Sequence, residues 1–184
     1  SGIPILGFNL GTFGLLAEYN EDDMQEVISR LMMKDYFTEE RRMLNFNMYD
    51  ESTGAHIGHA HALNDIVIVR QAPLGVAYLD TFINDNYVET YPCDGVIVST
   101  PTGSTAYSLA AGGSIIDPGM ECFAVSQICP QSFYAKPLVF GGSSVFEFTS
   151  VTPEDCLPTL VRTVDTLNLE FSDSKTVEQS TLLA

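Results

Sequence analysis

The sequence has 184 residues, 45% of them hydrophobic, which is enough to bury the core of one domain or of a small domain with part of another. It carries 24 acidic and 8 basic residues, a formal net charge of −16. Because duplex nucleic acid and anionic membranes are bound mainly through lysine and arginine, this charge argues against both as partners.

The first fifth of the chain predicts one short strand and one helix. Residues 3–8 are typical of a buried strand, and the glycines that follow indicate a loop. From Asn20 onward the apolar residues recur with the period of a helix. Asn20 is the predicted cap, and Asp23, three residues later, completes a capping box. The predicted apolar stripe contains Met24, Val27, Ile28, Leu31 and Met32.

After Tyr36 the apolar period changes from 3.6 to 2, which indicates strands. Leu44, Phe46 and Met48 alternate with polar residues, and residues 84–86 predict the turn of a hairpin. Further predicted elements are an extended run at 56–70, a strand at 94–100, a short helix at 105–111, two strands within 137–150 and one within 159–173. Many short strands with one or two helices indicate a mainly β, sandwich-like fold.

Three histidines occur close together in the extended run. Strict alternation places His59 and His61 on one face of a strand and His56 on the other. A zinc site needs at least one more well-placed ligand, so the pattern is more typical of polar strand residues than of a metal centre.

The ends and the cysteines of the chain indicate a cytoplasmic protein. Residues 1–6 lack the charged and apolar regions of a signal peptide, and the chain has no 18-residue apolar stretch. The four cysteines form no CxxC pair and no metal spacing, so we expect reduced thiols. They are Cys93, Cys122, Cys129 and Cys156.

The stretch 94–113, DGVIVSTPTGSTAYSLAAGG, joins a predicted strand to a predicted helix through small hydroxyl residues. Backbone N–H groups and hydroxyls at such a junction point into one corner. Helix capping explains one hydroxyl, but six occur in the fifteen positions 99–113. A nucleoside ligand would use the same corner, with Gly103 for close backbone approach and Tyr107 as an aromatic wall. The residues by themselves leave both alternatives open.

The same stretch resembles the NAD kinase signature STPTGSTAYSLSAGGP, which lines the NAD site in that family. Three other segments resemble the family in the expected order: GIPILGFNLGTFGLL (2–16) is similar to GIPILGVNLGRLGFL, ALND (62–65) to ALNE, and ICPQSFYAKPLVF (128–140) to ICPHSLSFRPLVL. The similarity runs from Gly2 to Phe140. It implies the β-rich, NAD-binding C-terminal domain of an enzyme that makes NADP from NAD, with ATP or polyphosphate as donor and Mg²⁺ as cofactor.

The resemblance also implies roles for individual residues. Asn64 and Asp65 would hold the ribose of NAD. Asp94 would reach NAD bound in a neighbouring protomer, which implies a homo-oligomer, either a dimer or a tetramer. The residues implied to line the adenine and ribose pocket are Thr102, Thr105, Ala106, Tyr107, Ser108, Leu109 and Ala110. Two structural alternatives stay open: Asn64 and Asp65 as breakers of an edge strand, and Asp94 as a turn residue.

The catalytic loop of the family, GGDG, precedes the segment that Gly2–Gly7 resembles. Its aspartate is taken as the base that accepts the 2′-hydroxyl proton of NAD. We therefore expect the catalytic residue to lie upstream of this chain, which would bind nucleotide without transferring phosphate. The implied domains are the end of an α/β domain at 1–20, the β-rich domain at 21–150, and a segment at 151–184 that returns to the α/β domain.

Several positions depart from the family pattern: Asp65 replaces Glu, Gln131 replaces His, Lys136 replaces Arg, Pro92 replaces a basic residue, and VDTL (164–167) replaces VDGQ. These changes remove charge and hydrogen-bonding capacity, so the phosphoryl donor is left open. Two other functions also remain. One is a non-catalytic nucleotide-binding or assembly module. The other is a relative of the lipid kinases. The sequence argues against it, because no apolar run that could bind an acyl chain lies beside the Thr-Gly-Ser stretch.

Overall fold

The structure is a computed structural model that describes residues 4–10, 17, 19–50, 53–70, 75–151, 167–173 and 177–181. Its internal contacts divide the chain into two compact units. The smaller unit is Ser1–Arg41 with Thr176–Ala184, and the larger is Arg42–Lys175. The three-part division at residues 20 and 150 stays a prediction.

Strands dominate the described residues. In chain order they are β1 (Phe8–Asn9), β2 (Tyr19–Asn20), β3 (Phe37–Arg41), β4 (Leu44–Asp50), β5 (His56–Ala62), β6 (Asp65–Val69), β7 (Ala77–Ile83), β8 (Asn86–Cys93), β9 (Gly95–Ser99), β10 (Cys122–Ile128), β11 (Leu138–Gly141), β12 (Phe146–Val151), β13 (Leu167–Asp173) and β14 (Val177–Thr181). The α-helices are α1 (Met24–Met32) and α2 (Tyr107–Ala110), each preceded by 3₁₀ helix, at Glu21–Asp23 and Thr102–Thr105. No helix in these described ranges is long and apolar enough to cross a membrane.

The smaller unit contains the predicted helix. β1 pairs with β2 in parallel, and β3 pairs with β14 antiparallel. The backbone N–H of Asn20 donates to Asp23 Oδ2 over 2.8 Å, which confirms the predicted cap. Of the predicted apolar stripe, Val27 is fully buried whereas Met32 is 82% exposed. The sequence period therefore predicted the helix correctly but overstated how much of its apolar face is buried in the described structure.

The larger unit is a sandwich of two sheets. The six-stranded sheet has the order β5-β4-β13-β12-β7-β8, and the four-stranded sheet has the order β11-β10-β9-β6. Both sheets contribute to one buried core, which contains Leu44, Leu79, Tyr91, Cys93, Val96, Val98, Phe123, Val125, Phe146 and Phe148. The mainly β, sandwich-like fold predicted from the sequence is confirmed.

Local sequence rules explain two parts of this unit. Leu44 is buried, and Phe46 and Met48 pack against the core, as the alternation in β4 predicts. Asn84 and Asp85 have φ values of 50° and 62°, and they join β7 to β8. Positive φ at both central residues is the backbone of a tight hairpin turn, and Asn and Asp tolerate it well.

Two strand predictions in this unit differ from the structure, and one strand of its four-stranded sheet was missed. The extended run 56–70 is two strands, because the chain crosses at Leu63–Asn64 from the six-stranded sheet to the four-stranded one. The two strands within 137–150 exist, but they also belong to different sheets. Strand β10 was not predicted. It is buried on both faces from Cys122 to Ser126, so it has no alternation to reveal it.

Candidate functional site

The hydroxyl-rich corner follows the end of β9, where the chain turns through Thr100 and Pro101 into 3₁₀ helix. β6 lies antiparallel beside β9, with Asp65 opposite Ser99. Asn64 therefore lies beside Thr100, whose backbone N–H donates to the Asn64 carbonyl oxygen over 2.9 Å. Strand pairing in this way brings together two segments that are about 35 residues apart in the sequence.

Gly103 makes the close packing of these two segments possible. A Cβ atom at this position would lie 1.9 Å from the Asn64 carbonyl oxygen and 2.3 Å from the carbonyl carbon. Neither is the end of a flexible side chain, so any larger residue would push the two backbones apart. Gly103 is therefore needed for the close contact between its own segment and the Asn64 segment, independently of any ligand at the corner.

Several of the corner hydroxyls hold the protein together. Ser104 Oγ donates to the Pro101 carbonyl over 2.6 Å and accepts the Ile116 N–H over 3.0 Å. The Ser108 hydroxyl lies 3.1 Å from that of Ser126 on β10. Both serines are fully buried. Hydroxyls satisfied in this way stabilise the turn. A purely structural role therefore accounts for several of the six hydroxyls, and not only for the one expected from a helix cap.

The residues implied to line the pocket fall into two groups. Thr102 and Ser108 are buried within the fold, and Thr105 is half-buried with its hydroxyl donating to the Thr102 carbonyl. The residues that face solvent are Ala106, Tyr107, Leu109 and Ala110. Tyr107 is 45% exposed, so its ring is available to a ligand. The accessible wall of the corner is therefore the α2 side.

Asn64 and Asp65 lie next to this wall. The backbone N–H of Tyr107 donates to the Asp65 carboxylate. Burial raises the pKa of Asp65 above its ordinary value, and the Tyr107 N–H partly opposes that rise. Asn64 Oδ1 is buried and has no hydrogen-bond donor within the described part of the chain. The corner thus combines a buried acceptor, a half-buried carboxyl and an exposed aromatic ring.

Asp94 lies at the opposite end of β9, before the strand begins. Five residue steps of about 3.3 Å separate it from Ser99, a distance of roughly 17 Å. Arg70 Nε donates to Asp94 Oδ1 over 2.8 Å, and this bond holds the pKa of Asp94 below its ordinary value. The structure therefore brings Asn64, Asp65 and Tyr107 together and leaves Asp94 at a distance in the same chain.

The sequence analysis did not identify three residues that lie near the corner or near Asp94. Thr100 binds the Asn64 backbone, and Arg70 pairs with Asp94. Ser99 Oγ is buried with no partner among the described residues. Arg70 could have been found, because pairing β6 with β9 places the residue after one strand beside the residue before the other.

The histidines lie on one face of β5, unlike the predicted arrangement. The pairing of β4 with β5 passes from Met48–Gly58 to Tyr49–His56, and this shift changes the parity of the strand. The ring centroids of His56 and His59 are 6.1 Å apart, and those of His59 and His61 are 6.2 Å apart. Within the described ranges, no three His, Cys, Asp or Glu groups are arranged to hold a metal ion.

A cavity of about 130 Å³ lies at the end of the four-stranded sheet near Asp94. Gln127 Oε1 is buried there without a donor in the part of the chain that the structure describes. The lining residues are Glu89, Tyr91, Pro92, Gln127, Ser132, Tyr134, Ala135, Lys136 and Leu138. The opposite charges of Glu89 and Lys136 give it no clear preference for one class of ligand.

Comparison with known proteins identifies the family. Residues 63–181, which include the whole corner, match the model of the ATP-NAD kinase C-terminal domain. The chain belongs to the NAD kinase family. It is 42% identical over 144 residues to an NAD kinase of Caldanaerobacter subterraneus, and 40% identical over 142 residues to a bifunctional NADP phosphatase/NAD kinase of Methanocaldococcus jannaschii.

These alignments cover 78% and 77% of this chain, but only 50% and 24% of the two relatives. The chain thus spans about half the length of the Caldanaerobacter NAD kinase.

Two solved structures of NAD kinase family members share the fold. Yeast NADH kinase, crystallised with NADH, aligns with a TM-score of 0.90 and 25% identity. That alignment covers 98% of this chain and 56% of the yeast chain. An NAD kinase from Archaeoglobus fulgidus, crystallised with ATP, aligns with a TM-score of 0.72 and 23% identity, covering 98% of this chain and 68% of that chain.

Proposed function

We propose that the residues of the hydroxyl-rich corner form the NAD-binding part of an NAD kinase, which phosphorylates the 2′-hydroxyl of NAD to give NADP. ATP or polyphosphate would be the donor. One observation carries the proposal: the buried acceptor Asn64 Oδ1, without a donor in the described structure, lies beside Asp65 and the exposed ring of Tyr107. A ribose hydroxyl or a base amino group would satisfy that acceptor.

Each group at the corner has a distinct role in this proposal. Asn64 accepts a hydrogen bond from the sugar or base, and the Asp65 carboxylate accepts a second one from a ribose hydroxyl. The Tyr107 ring packs on a flat face of the ligand. The remaining lining residues, Thr102, Thr105, Ala106, Ser108, Leu109 and Ala110, give the pocket its shape.

We propose that phosphoryl transfer uses the GGDG loop that the family resemblance implies. The 184 residues contain no GGDG sequence. Mg²⁺ neutralises phosphate charge in such reactions, and no three His, Cys, Asp or Glu groups among the described residues are arranged to hold it. We therefore propose that a polypeptide of these residues binds NAD without forming NADP. An NADP-formation assay with ATP or polyphosphate and Mg²⁺ tests this, and turnover well above background would contradict it.

We also propose that the protein is a cytoplasmic homo-oligomer, a dimer or a tetramer, in which Asp94 contacts NAD held by a neighbouring copy. The distance of roughly 17 Å between Asp94 and the corner of its own chain supports this arrangement. The alternative of a non-catalytic nucleotide-binding or assembly module predicts the same binding and no turnover in the whole protein.

The binding site is tested with Asn64→Ala and Tyr107→Ala. Each substitution removes one proposed ligand contact, so each is expected to weaken NAD binding by about 1–3 kcal/mol. Isothermal titration with NAD measures the effect, and circular dichroism checks that the fold is intact. Titrations of the parent chain with diacylglycerol and with ATP test the lipid kinase alternative, which predicts that the chain binds diacylglycerol.

Tyr87→Ala is a matched control, because Tyr87 is also exposed but lies on β8 of the other sheet. It is expected to leave NAD affinity unchanged. If folded Asn64→Ala and Tyr107→Ala both bind NAD like the parent, the site is not at this corner.

A further inference from the structure

We propose that Thr100 is a positioning residue of the nucleotide site, which acts by holding the backbone that presents Asn64. This inference rests on the proposed function, because it gives Asn64 a ligand to bind. Thr100 itself is fully buried, so it takes no part in ligand contact.

Thr100 binds the Asn64 segment through two groups. Its hydroxyl donates to the Leu63 carbonyl oxygen over 2.5 Å, and its backbone N–H donates to the Asn64 carbonyl oxygen over 2.9 Å. One buried residue thus holds two successive carbonyl groups. These contacts fix the two peptide planes on either side of the Asn64 Cα atom, at the point where the chain crosses from one sheet to the other.

The Thr100 hydroxyl also connects this segment to the ligand side of the corner. It accepts the Gly103 N–H over 3.0 Å, and its own O–H is shared between the Leu63 carbonyl oxygen and, at 3.2 Å, the Asn64 carbonyl oxygen. Gly103 in turn lies so close to the Asn64 carbonyl that a Cβ atom would not fit. The Asn64 backbone is therefore held from two directions, by hydrogen bonds and by direct contact.

The consequence concerns the Asn64 side chain. Its direction follows from the backbone that carries it, and its buried Oδ1 has no donor within the described residues that would hold it otherwise. Loss of the Thr100 hydroxyl would leave the Leu63 carbonyl and the Gly103 N–H without that partner, and the peptide could rotate. NAD binding would then weaken although every ligand-contacting side chain is still present.

The decisive variant is Thr100→Val, which keeps the shape of the side chain and removes the hydroxyl. Thr81→Val is the matched control, because Thr81 is equally buried, donates to the Leu79 carbonyl, and lies on β7 of the other sheet. Both variants lower stability, but only Thr100→Val is expected to weaken NAD binding, by about tenfold. Thr100→Ser restores the hydroxyl and is expected to bind NAD within about twofold of the parent.

A double-mutant cycle shows whether Thr100 acts through Asn64. Thr100→Val added to Asn64→Ala is expected to cost less than about twofold, because the side chain it positions is already gone. The Asn64 side-chain amide signals in the ¹H–¹⁵N spectrum of the free protein should also shift in Thr100→Val and not in Thr81→Val.

The outcomes separate this inference from the proposed function. If Asn64→Ala weakens NAD binding but folded Thr100→Val binds like Thr81→Val, the inference is wrong and the site stands. If Asn64→Ala has no effect, the inference is wrong, because Asn64 then contacts no ligand; the proposed site is wrong as well only if Tyr107→Ala also has no effect. Should Thr100→Val not fold, Thr100→Ser decides, because a tenfold loss of affinity in that variant would show that the hydroxyl is not the relevant group.

Discussion

Asp65 shows how one side chain serves both the fold and the proposed site. Its carboxylate accepts the Tyr107 N–H and so ties the start of β6 to the start of α2. Burial outweighs that hydrogen bond, because the pKa of Asp65 is raised overall. A carboxylate that costs stability when charged, at a corner where a ligand is proposed to bind, is typical of functional sites.

The raised pKa predicts a pH-dependent effect of Asp65→Asn. As pH rises past the unfolded-state pKa of about 3.8, the Asp65 carboxyl ionises in the unfolded chain before it ionises in the folded one. Ionisation therefore favours unfolding, and the fold loses stability until the pH has passed the folded-state pKa. Asparagine removes this cost and keeps an acceptor for the Tyr107 N–H. We expect Asp65→Asn to melt at a higher temperature than the parent at pH 7, with the difference shrinking as pH falls toward 3.8.

Thermal unfolding followed by circular dichroism between pH 4 and pH 8 measures this profile. Asp117→Asn serves as control, since its carboxylate also accepts a backbone N–H but lies in an exposed loop. A lower melting temperature for Asp65→Asn at pH 7 would mean that the charge of Asp65 stabilises the fold.

At the scale of elements, the corner depends on the antiparallel pairing of β6 with β9. That pairing places the β5–β6 link against the 3₁₀ helix at Thr102–Thr105, and Gly103 sets how closely the two approach. The corner is therefore a contact between two backbones, and its side chains are placed by that contact.

Gly103→Ala tests this packing. The added methyl group would overlap the Asn64 carbonyl, so we expect a loss of about 1–3 kcal/mol in the free energy of unfolding, together with weaker NAD binding. Gly141→Ala is the control, because a Cβ atom at Gly141 would meet nothing within 4 Å. It should change stability by no more than about 0.5 kcal/mol. Urea unfolding of both variants measures the difference, and equal stabilities would show that the corner can widen without cost.

At the scale of the whole molecule, two features bear on assembly. The chain carries a net charge of −16, which opposes association, so any homo-oligomer has to overcome charge repulsion. Asp94 lies at the end of β9 away from the proposed NAD site, and Arg70 holds its side chain in place. We propose that NAD contacts both ends across two copies, with Asp94 of one copy beside NAD held by the other.

We therefore predict that NAD shifts the chain toward a larger assembly, since a ligand shared between two copies stabilises the state that contains both. Sedimentation at about 50 µM protein, with and without saturating NAD, measures this. Asp94→Asn should reduce the shift, whereas Asp117→Asn should not. Because the Arg70–Asp94 ion pair is only partly buried, substituting Asp94 should change monomer stability little. A monomer that NAD does not affect would mean that Asp94 serves only as a turn residue.

Features that depend only on neighbouring residues could be predicted from the sequence. The cap at Asn20, the alternation in β4 and the turn at Asn84–Asp85 each follow from a few adjacent side chains, and all three are present in the structure. The resemblance carried by residues 94–113 also led to the correct family, because the motif is continuous along the chain.

The folded structure was needed to find the features that depend on pairing between distant segments. It placed Thr100 against Asn64, shifted His56 onto the face of His59, assigned β5 and β6 to different sheets, and buried Ser108 against Ser126. Local periodicity carries no information about which strand will lie beside which. That choice is made by the packing of the whole core and by the hydrogen bonds between strands, which form only when residues far apart in the chain meet.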